Sequence, residues 1–443
     1  MKGLSPDQNQ PSFLSPMLRD QLNPRHPLFL LSEKIPWREL EKELARYYSK
    51  RGQHAKPIRL MVSLLILKQL HNLSDESVVD RWVENPYYQF FSGETVFQWK
   101  PPIHPTDLVY FRKRIGKPGV EKLLQVSIDL HGKKAKEKEV LIDSTVQEKN
   151  ITFPTDSKLY IKIIKHCVKI AKKEGVVLRQ SYRLTVKKLL LDLRFMHHPK
   201  NRKKAATAVR KLRTIAGRLI RELHRKLTPS ILVEYLDRLA LFDKILQQQK
   251  KDSNKIYSIH EPETYCISKG KEHKKYEFGA KASIVLTKNT GIIIGAVSHN
   301  TNQYDGHTLP EVLEQATRLV GKEPKVAICD RGYRGTSIVS NTQIVIPKPP
   351  GKRTTDYQKR QARKRFRRRA GIEPIIGHLK SDYRMARNFL KGSIGDSLNV
   401  MLAAAAFNFN KLMKELGSSF AQIFLAFVKR IWPFCGQFSF SLN

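Results

Sequence analysis

Three carboxylates stand where a phosphodiester-cutting site would need them. Asp143 ends the apolar run EVLID (139–143), and Asp330 ends a second, KVAICD (325–330). Glu373 lies within FRRRAGIEPIIGHLK (366–380), just past a dense run of arginines. Both apolar runs have the length and character of buried strands. Taken singly, each residue has a plainer reading. Strand-end aspartates cap turns, and a glutamate at a helix start complements the helix dipole or offsets nearby cations. Taken together they suggest chemistry, because α/β sheets place their sites at the carboxyl ends of neighbouring strands. Mg²⁺ takes a few carboxylates plus phosphate oxygens. Two such ions, about 3.5–4 Å apart, activate an attacking oxygen and stabilise a leaving one. Three carboxylates suffice for the pair if one bridges both.

The local sequence supports that use of Glu373. Gly371 and Pro374 stop or kink a helix through 357–370, and a new helix begins near Ile372. Proline is tolerated in a first turn and costs roughly 3 kcal/mol inside a helix. The new N-terminus favours an ionised Glu373. Lys380, seven residues on, falls on the same helical face.

The elements that must position these residues read as an interrupted α/β core. Residues 1–24 are polar and proline-bearing, and are expected to be poorly ordered. Residues 25–135 read as short helices, which suit either a helix-turn-helix-like DNA reader or an ordinary helical domain. The first strand follows (136–154), then a basic helical insertion (155–255) in which Val209, Leu212, Ile215, Leu219 and Leu223 form one stripe. The remaining core (256–417) begins with a hairpin turning at Lys288-Asn289-Thr290-Gly291. It continues through a helix at 305–320, the Asp330 strand, a strand at 343–347 and terminal helices. The last residues (418–443) read as an amphipathic tail. The expected fold class is therefore α/β with a mixed sheet, an N-terminal helical domain and a helical insertion after the first core strand.

Charge narrows the partner. The 443 residues carry 81 Lys+Arg against 40 Asp+Glu, a formal net charge of +41. That excess points to a polyanion, most directly nucleic acid. No long apolar span or signal peptide argues for a membrane. Cys167, Cys266, Cys329 and Cys435 form no CxxC pair, which fits a reducing cytoplasm and argues against a zinc or disulfide framework.

At these residues the chain resembles the bacterial insertion-sequence transposases of the DDE type, with an RNase H-like core. The nearest group is the one named after insertion sequence five. The resemblance rests on NPYYQFFSGE (85–94), VLIDSTVQEKNI (140–151), KGKEHKKYEFGAKASI (269–284), YDGHTL (304–309), CDRGYRG (329–335) and RAGIEPIIGHLKSDYRMARNFLKG (369–392). It implies that Asp143, Asp330 and Glu373 are catalytic metal ligands for Mg²⁺, two ions, with Mn²⁺ as a substitute. Arg369, Glu373 and Lys380 match the family spacing R-x₃-E-x₆-K, in which the arginine and lysine contact DNA phosphates. The family's tyrosine is Phe366 here, which loses a hydroxyl and keeps a stacking surface. Arg334 and Tyr333 fall where DNA near the cleaved end would pass, although a core position suits Tyr333 equally. His378 lies near the site without a required role.

The resemblance implies binding of double-stranded DNA at terminal inverted repeats, hydrolysis at element ends and transfer of the 3′-hydroxyls to target DNA. It also implies a homodimer on DNA, with no membrane and no small-molecule substrate, in the nucleoid-associated cytoplasm. The rivals are a transposase-derived DNA-binding protein without catalysis and an RNase H-like nuclease without strand transfer. An RNA-binding structural protein accounts for the charge but not for the carboxylates.

Overall fold

The computed structural model describes residues 2–3, 16–49, 51–249, 251–268, 275–347, 351 and 354–435, with the backbone alone from 418 onward. Among the described residues eight strands form one mixed sheet: β1 (Glu139–Lys149), β2 (Tyr265–Ser268), β3 (Tyr276–Thr287), β4 (Ile293–His299), β5 (Val326–Ile328), β6 (Ile338–Val339), β7 (Thr342–Val345) and β8 (Arg387–Asn388). β4 pairs antiparallel with β3, which neighbours β1; β1 then pairs parallel with β5, and β5 parallel with β7. A hairpin edge followed by parallel strands is the RNase H-like arrangement. The Lys288–Gly291 turn joins β3 to β4, and Gly291 supplies the positive φ of 64°.

The first strand departs from expectation. It was expected to end at Asp143, yet β1 runs on to Lys149. Its parallel partner β5 stops at Ile328, while β3 on its other side spans twelve residues. Asp143 therefore sits where one neighbour ends rather than where β1 itself ends. β2, β6 and β8 were too short to be read from periodicity.

By packing, the chain forms two units, residues 1–148 with 281–443, and residues 149–280. In the first, the N-terminal helices share one apolar core with the sheet; Leu64, Trp82, Phe111, Ile142, Ile284 and Met401 all belong to it. Asn408 fastens the long last helix (Gly392–Cys435) into that core. Its side-chain amide donates to the Ile293 carbonyl and Ser127 Oγ, and its Oδ1 accepts from the Ile293 amide. In the second unit, Leu212, Ile215, Leu219 and Leu223 of helix Pro199–Lys226 pack with Leu159, Ile163 and Phe242 in a separate core.

Both termini extend the sequence reading. Within the segment expected to be poorly ordered, Leu18 and Leu22 are buried against Phe29 and Phe90; residues 4–15 lie outside the described residues. The side chains of the expected amphipathic tail, and residues 269–274 of the KGKEHKKYEF block, also lie outside them. Helix Pro105–Asp129 starts with a reciprocal cap, in which His104 Nδ1 accepts from the Thr106 amide and Asp107 Oδ2 accepts from the His104 amide, with a proline at the first helical position. No helix among the described residues is long and apolar enough to cross a membrane.

One buried ion cluster braces the N-terminal helices. Asp75 accepts two bonds from Arg112, at 2.8 and 2.6 Å, and one from Lys68 at 2.6 Å. Burial alone would raise its pKa, but the Arg112 hydrogen bonds and the Lys68 charge outweigh burial and hold it at about 2. Asp75→Asn leaves two cations buried without their counter-charge, so it is expected to lower the unfolding free energy by about 3 kcal/mol. Because the folded pKa lies below the usual 3.8, this contribution is present above 3.8 and is lost as pH falls through about 2. Denaturant unfolding of both proteins over that range checks it: the gap should be full at neutral pH and close in acid.

Candidate functional site

The sheet register brings the two aspartates side by side. β1 and β5 pair as Val140–Ala327 and Leu141–Ile328. Two residues further along both chains stand Asp143 and Asp330, on neighbouring strand paths about 4.8 Å apart. Each carboxylate is aimed by a backbone amide. Asp143 Oδ1 accepts from the Ser144 amide at 2.8 Å, and Asp330 Oδ1 accepts from the Gly332 amide at 2.7 Å. Both therefore turn Oδ2 toward the same point.

Helix Asp356–Arg369 ends there, and helix Ile372–Ser381 starts with Glu373 in its first turn. Arg369 occupies the point the carboxylates face. Its Nη2 lies 3.0 Å from Asp143 Oδ2 and 3.7 Å from Asp330 Oδ2, and its Nη1 lies 3.3 Å from Glu373 Oε1. The three expected acids are thus gathered around one cation. Arg369, expected on a DNA phosphate, is that cation, and its Nε is buried without a hydrogen-bond partner among the described residues.

With the guanidinium between them, no three His, Cys, Asp or Glu side chains among the described residues are close enough to hold a metal as they stand. The donor set nonetheless fits a hard divalent cation. It offers oxygen only, and its two aspartates are pre-aimed at one positive centre.

The wall behind the acids is neutral. Cys329 is fully buried, and its thiol pKa is pushed up first by burial and then by Asp330 and Asp143. Tyr333 is 0% exposed, and its phenol is pushed up by burial and by Asp143. That burial corrects the DNA-facing option for Tyr333: the ring is a core residue. Arg334 beside it is exposed, and its carbonyl accepts from the Tyr304 hydroxyl.

Sequence reasoning missed Asp305, Lys281 and Ser144. Asp305 Oδ1 accepts from Ser144 Oγ at 2.7 Å and pairs with Lys281 Nζ at 3.0 Å. Gly332 is wedged against both acids: a Cβ there would lie 2.9 Å from Asp330 Oδ1 and 3.1 Å from Asp305 Oδ2. Asp305 is thus a fourth carboxylate at the site's edge. In sequence it looks like an ordinary acid in a helix's first turn. Only its place within the YDGHTL block distinguished it.

The other candidates are spread along the two helices. Phe366 packs half-buried against the core. Lys380 is partly exposed on the helix that carries Glu373. His378 is exposed and bonded to Asp382 at 2.8 Å. Along helix Asp356–Arg369 no residue is buried. Arg368 donates to the Lys288 and Asn289 carbonyls and ties the helix to the β3–β4 turn. Beside it opens a cleft of 880 Å³ lined by Glu139, Lys288, Tyr357, Gln361 and Arg365.

Two family models match this chain. One, described as Transposase domain (DUF772), covers residues 16–114; the other, described as Transposase DDE domain, covers 248–409. Asp305, Asp330, Arg369, Glu373 and Lys380 fall within the second, and Asp143 lies between the two. The chain is also similar to a Rhizobium meliloti protein named Uncharacterized protein ORF8 in nfe locus. The two are 42% identical over 191 residues, which span 41% of this chain and 92% of that protein. No solved structure matches.

Proposed function

We propose that this chain, which belongs to the DDE transposases of bacterial insertion sequences, cuts DNA at the ends of its element and joins those ends to new DNA at the site around Asp143, Asp330 and Glu373. The observation that carries the reading is the convergence of these three acids, from two adjacent parallel strands and a following helix start, on one cation position.

Asp143, Asp330 and Glu373 would hold two Mg²⁺ ions, or Mn²⁺ in their place. Bound there, such ions neutralise a phosphodiester and make its attacking oxygen nucleophilic. The chain's own residues supply the rest. The Ser144 and Gly332 amides fix the carboxylates in their aimed orientation. Buried Cys329 and Tyr333 close the floor against water. Lys380, Arg334 and the basic helix Asp356–Arg369 line the route of the strand, their charges position its phosphates, and Phe366 offers it a stacking surface.

In the first step water's oxygen forms a new P–O bond and the strand's 3′ oxygen leaves. In the second, that 3′-hydroxyl forms a P–O bond to target DNA while a target 3′ oxygen leaves, so the number of phosphodiesters is unchanged. Residues 25–135 would read the terminal inverted repeats. The exposed cations of helix Pro199–Lys226 would bind backbone at the ends or in the paired complex. Two ends must be joined, so the working form is a dimer on DNA.

The test is a cleavage and strand-transfer assay on duplexes carrying the flanking element ends, in Mg²⁺ and in Mn²⁺. Cutting at the boundary and joining to new DNA are expected. Cutting without joining would make the protein a nuclease. Binding without either, in both metals, would reduce it to a DNA-binding relative.

A further inference from the structure

We infer that Arg369 is an exchangeable cation: it balances the three carboxylates while no metal is bound, and moves to a DNA phosphate when divalent ions take its place. This inference rests on the metal-holding reading of Asp143, Asp330 and Glu373. Its starting point is a conflict. R-x₃-E-x₆-K spacing assigns Arg369 to phosphate, yet its guanidinium lies within 3.0–3.7 Å of three carboxylate oxygens.

A guanidinium and a divalent ion cannot share that point. Both Oδ2 atoms face it, and Nη2 already fills it. Without a cation there, three carboxylates would repel one another. Arg369 therefore balances these carboxylates wherever a divalent ion does not, and the same contact makes it a competitor for metal.

Three features suit the side chain to leave. Nε has no hydrogen-bond partner among the described residues, so the buried arrangement leaves that donor unpaired there. Arg369 is the last residue of its helix, with Ala370 and Gly371 between it and the next. Its neighbour Arg368 is pinned to the Lys288 and Asn289 carbonyls, so the helix end stays in place while the Arg369 side chain swings. A phosphate offers the planar fork two oxygens, as a carboxylate does.

Metal and DNA binding are then coupled. DNA accepts the arginine and frees the acids; metal displaces the arginine toward DNA. Each must tighten the other by the same factor.

The experiment measures Mn²⁺ binding to the full chain by electron paramagnetic resonance, with and without short duplex DNA. Four proteins are compared: wild type, Arg369→Gln, Lys322→Gln and Asp143→Asn. Without DNA, Arg369→Gln should bind Mn²⁺ about tenfold more tightly than wild type. Lys322→Gln, which removes the same charge from an exposed position outside the proposed DNA route, should match wild type. Duplex DNA should tighten Mn²⁺ binding by wild type about tenfold and leave Arg369→Gln nearly unchanged. Thermal melting checks folding: Mn²⁺ should raise the melting temperature of Arg369→Gln more than that of wild type. Equal Mn²⁺ affinity in wild type and Arg369→Gln, lost in Asp143→Asn, would overturn the exchange while keeping the metal site. Mn²⁺ binding that ignores Asp143→Asn, or no binding at all, would overturn both.

Discussion

Glu373→Gln is expected to lower cleavage and strand transfer by about 10³-fold or more while the protein still folds and binds element ends. The magnitude follows from what the carboxylate would hold. A metal ion contributes several kcal/mol of transition-state charge stabilisation, and each 1.4 kcal/mol is about tenfold in rate. Glutamine keeps the shape and one oxygen but loses the negative charge that retains a divalent ion. Structure makes the variant clean. The Glu373 side chain is 63% exposed, and its ion pair among the described residues is the 3.3 Å contact with Arg369. An exposed substitution of this kind changes stability by about 0.5 kcal/mol or less. Loss of activity therefore cannot be charged to unfolding, and a melting curve run beside the assay verifies that. Single-turnover cleavage on pre-cut and uncut ends separates the two steps. If both steps fall together, one site serves both. Should the variant cut at the wild-type rate, Glu373 is a charge-balancing residue and the site must be rebuilt around Asp143, Asp330 and Asp305.

The difference between what was legible in the sequence and what was not follows from the range of the interactions involved. EVLID and KVAICD announced two strands because short apolar runs report burial directly. The break at Gly371–Pro374 was legible because proline and glycine act on the backbone locally, and the helices do end at Arg369 and restart at Ile372. That Asp143 stands level with Asp330 is a fact of register between residues 187 positions apart, and no local pattern encodes it. Tyr333 shows the same limit: an aromatic three residues past Asp330 suits DNA or core, and only the packed structure decides for core. The N-terminal helices read as a domain of their own because amphipathic periodicity says that a face is buried, not against what. Their apolar faces are in fact part of the core that holds the sheet. Arg369 shows a related limit. Motif spacing points it at a DNA phosphate, whereas its ion pairs with Asp143, Asp330 and Glu373 follow from strand register and packing that no local pattern encodes.

Replacing Arg360, Arg363, Lys364 and Arg367 together by glutamine is expected to weaken DNA binding about 10³-fold at 0.1 M salt. These four are exposed, and no hydrogen bond or ion pair of theirs occurs among the described residues. Arg360, Arg363 and Arg367 fall at helical spacing on one stripe, with Lys364 beside them. Each phosphate neutralised releases counterions, so log affinity falls with log salt at a slope of about −0.9 per contact. Four contacts amount to about 3.6 in slope, close to a factor of 10³ to 10⁴ at 0.1 M, vanishing near 1 M. The salt dependence is the discriminating feature. A variant that merely bound a different sequence would lose affinity at every salt concentration and keep its slope. One that had lost backbone contacts would give a flatter line meeting the wild-type line at high salt. The fold should be untouched, because Arg368 and the Thr355–Gln358 capping box hold the helix independently of the four. If the two lines coincide, this helix faces away from DNA, and the cations that grip the strand must be sought on Lys380, Arg334 and the helices of residues 149–280.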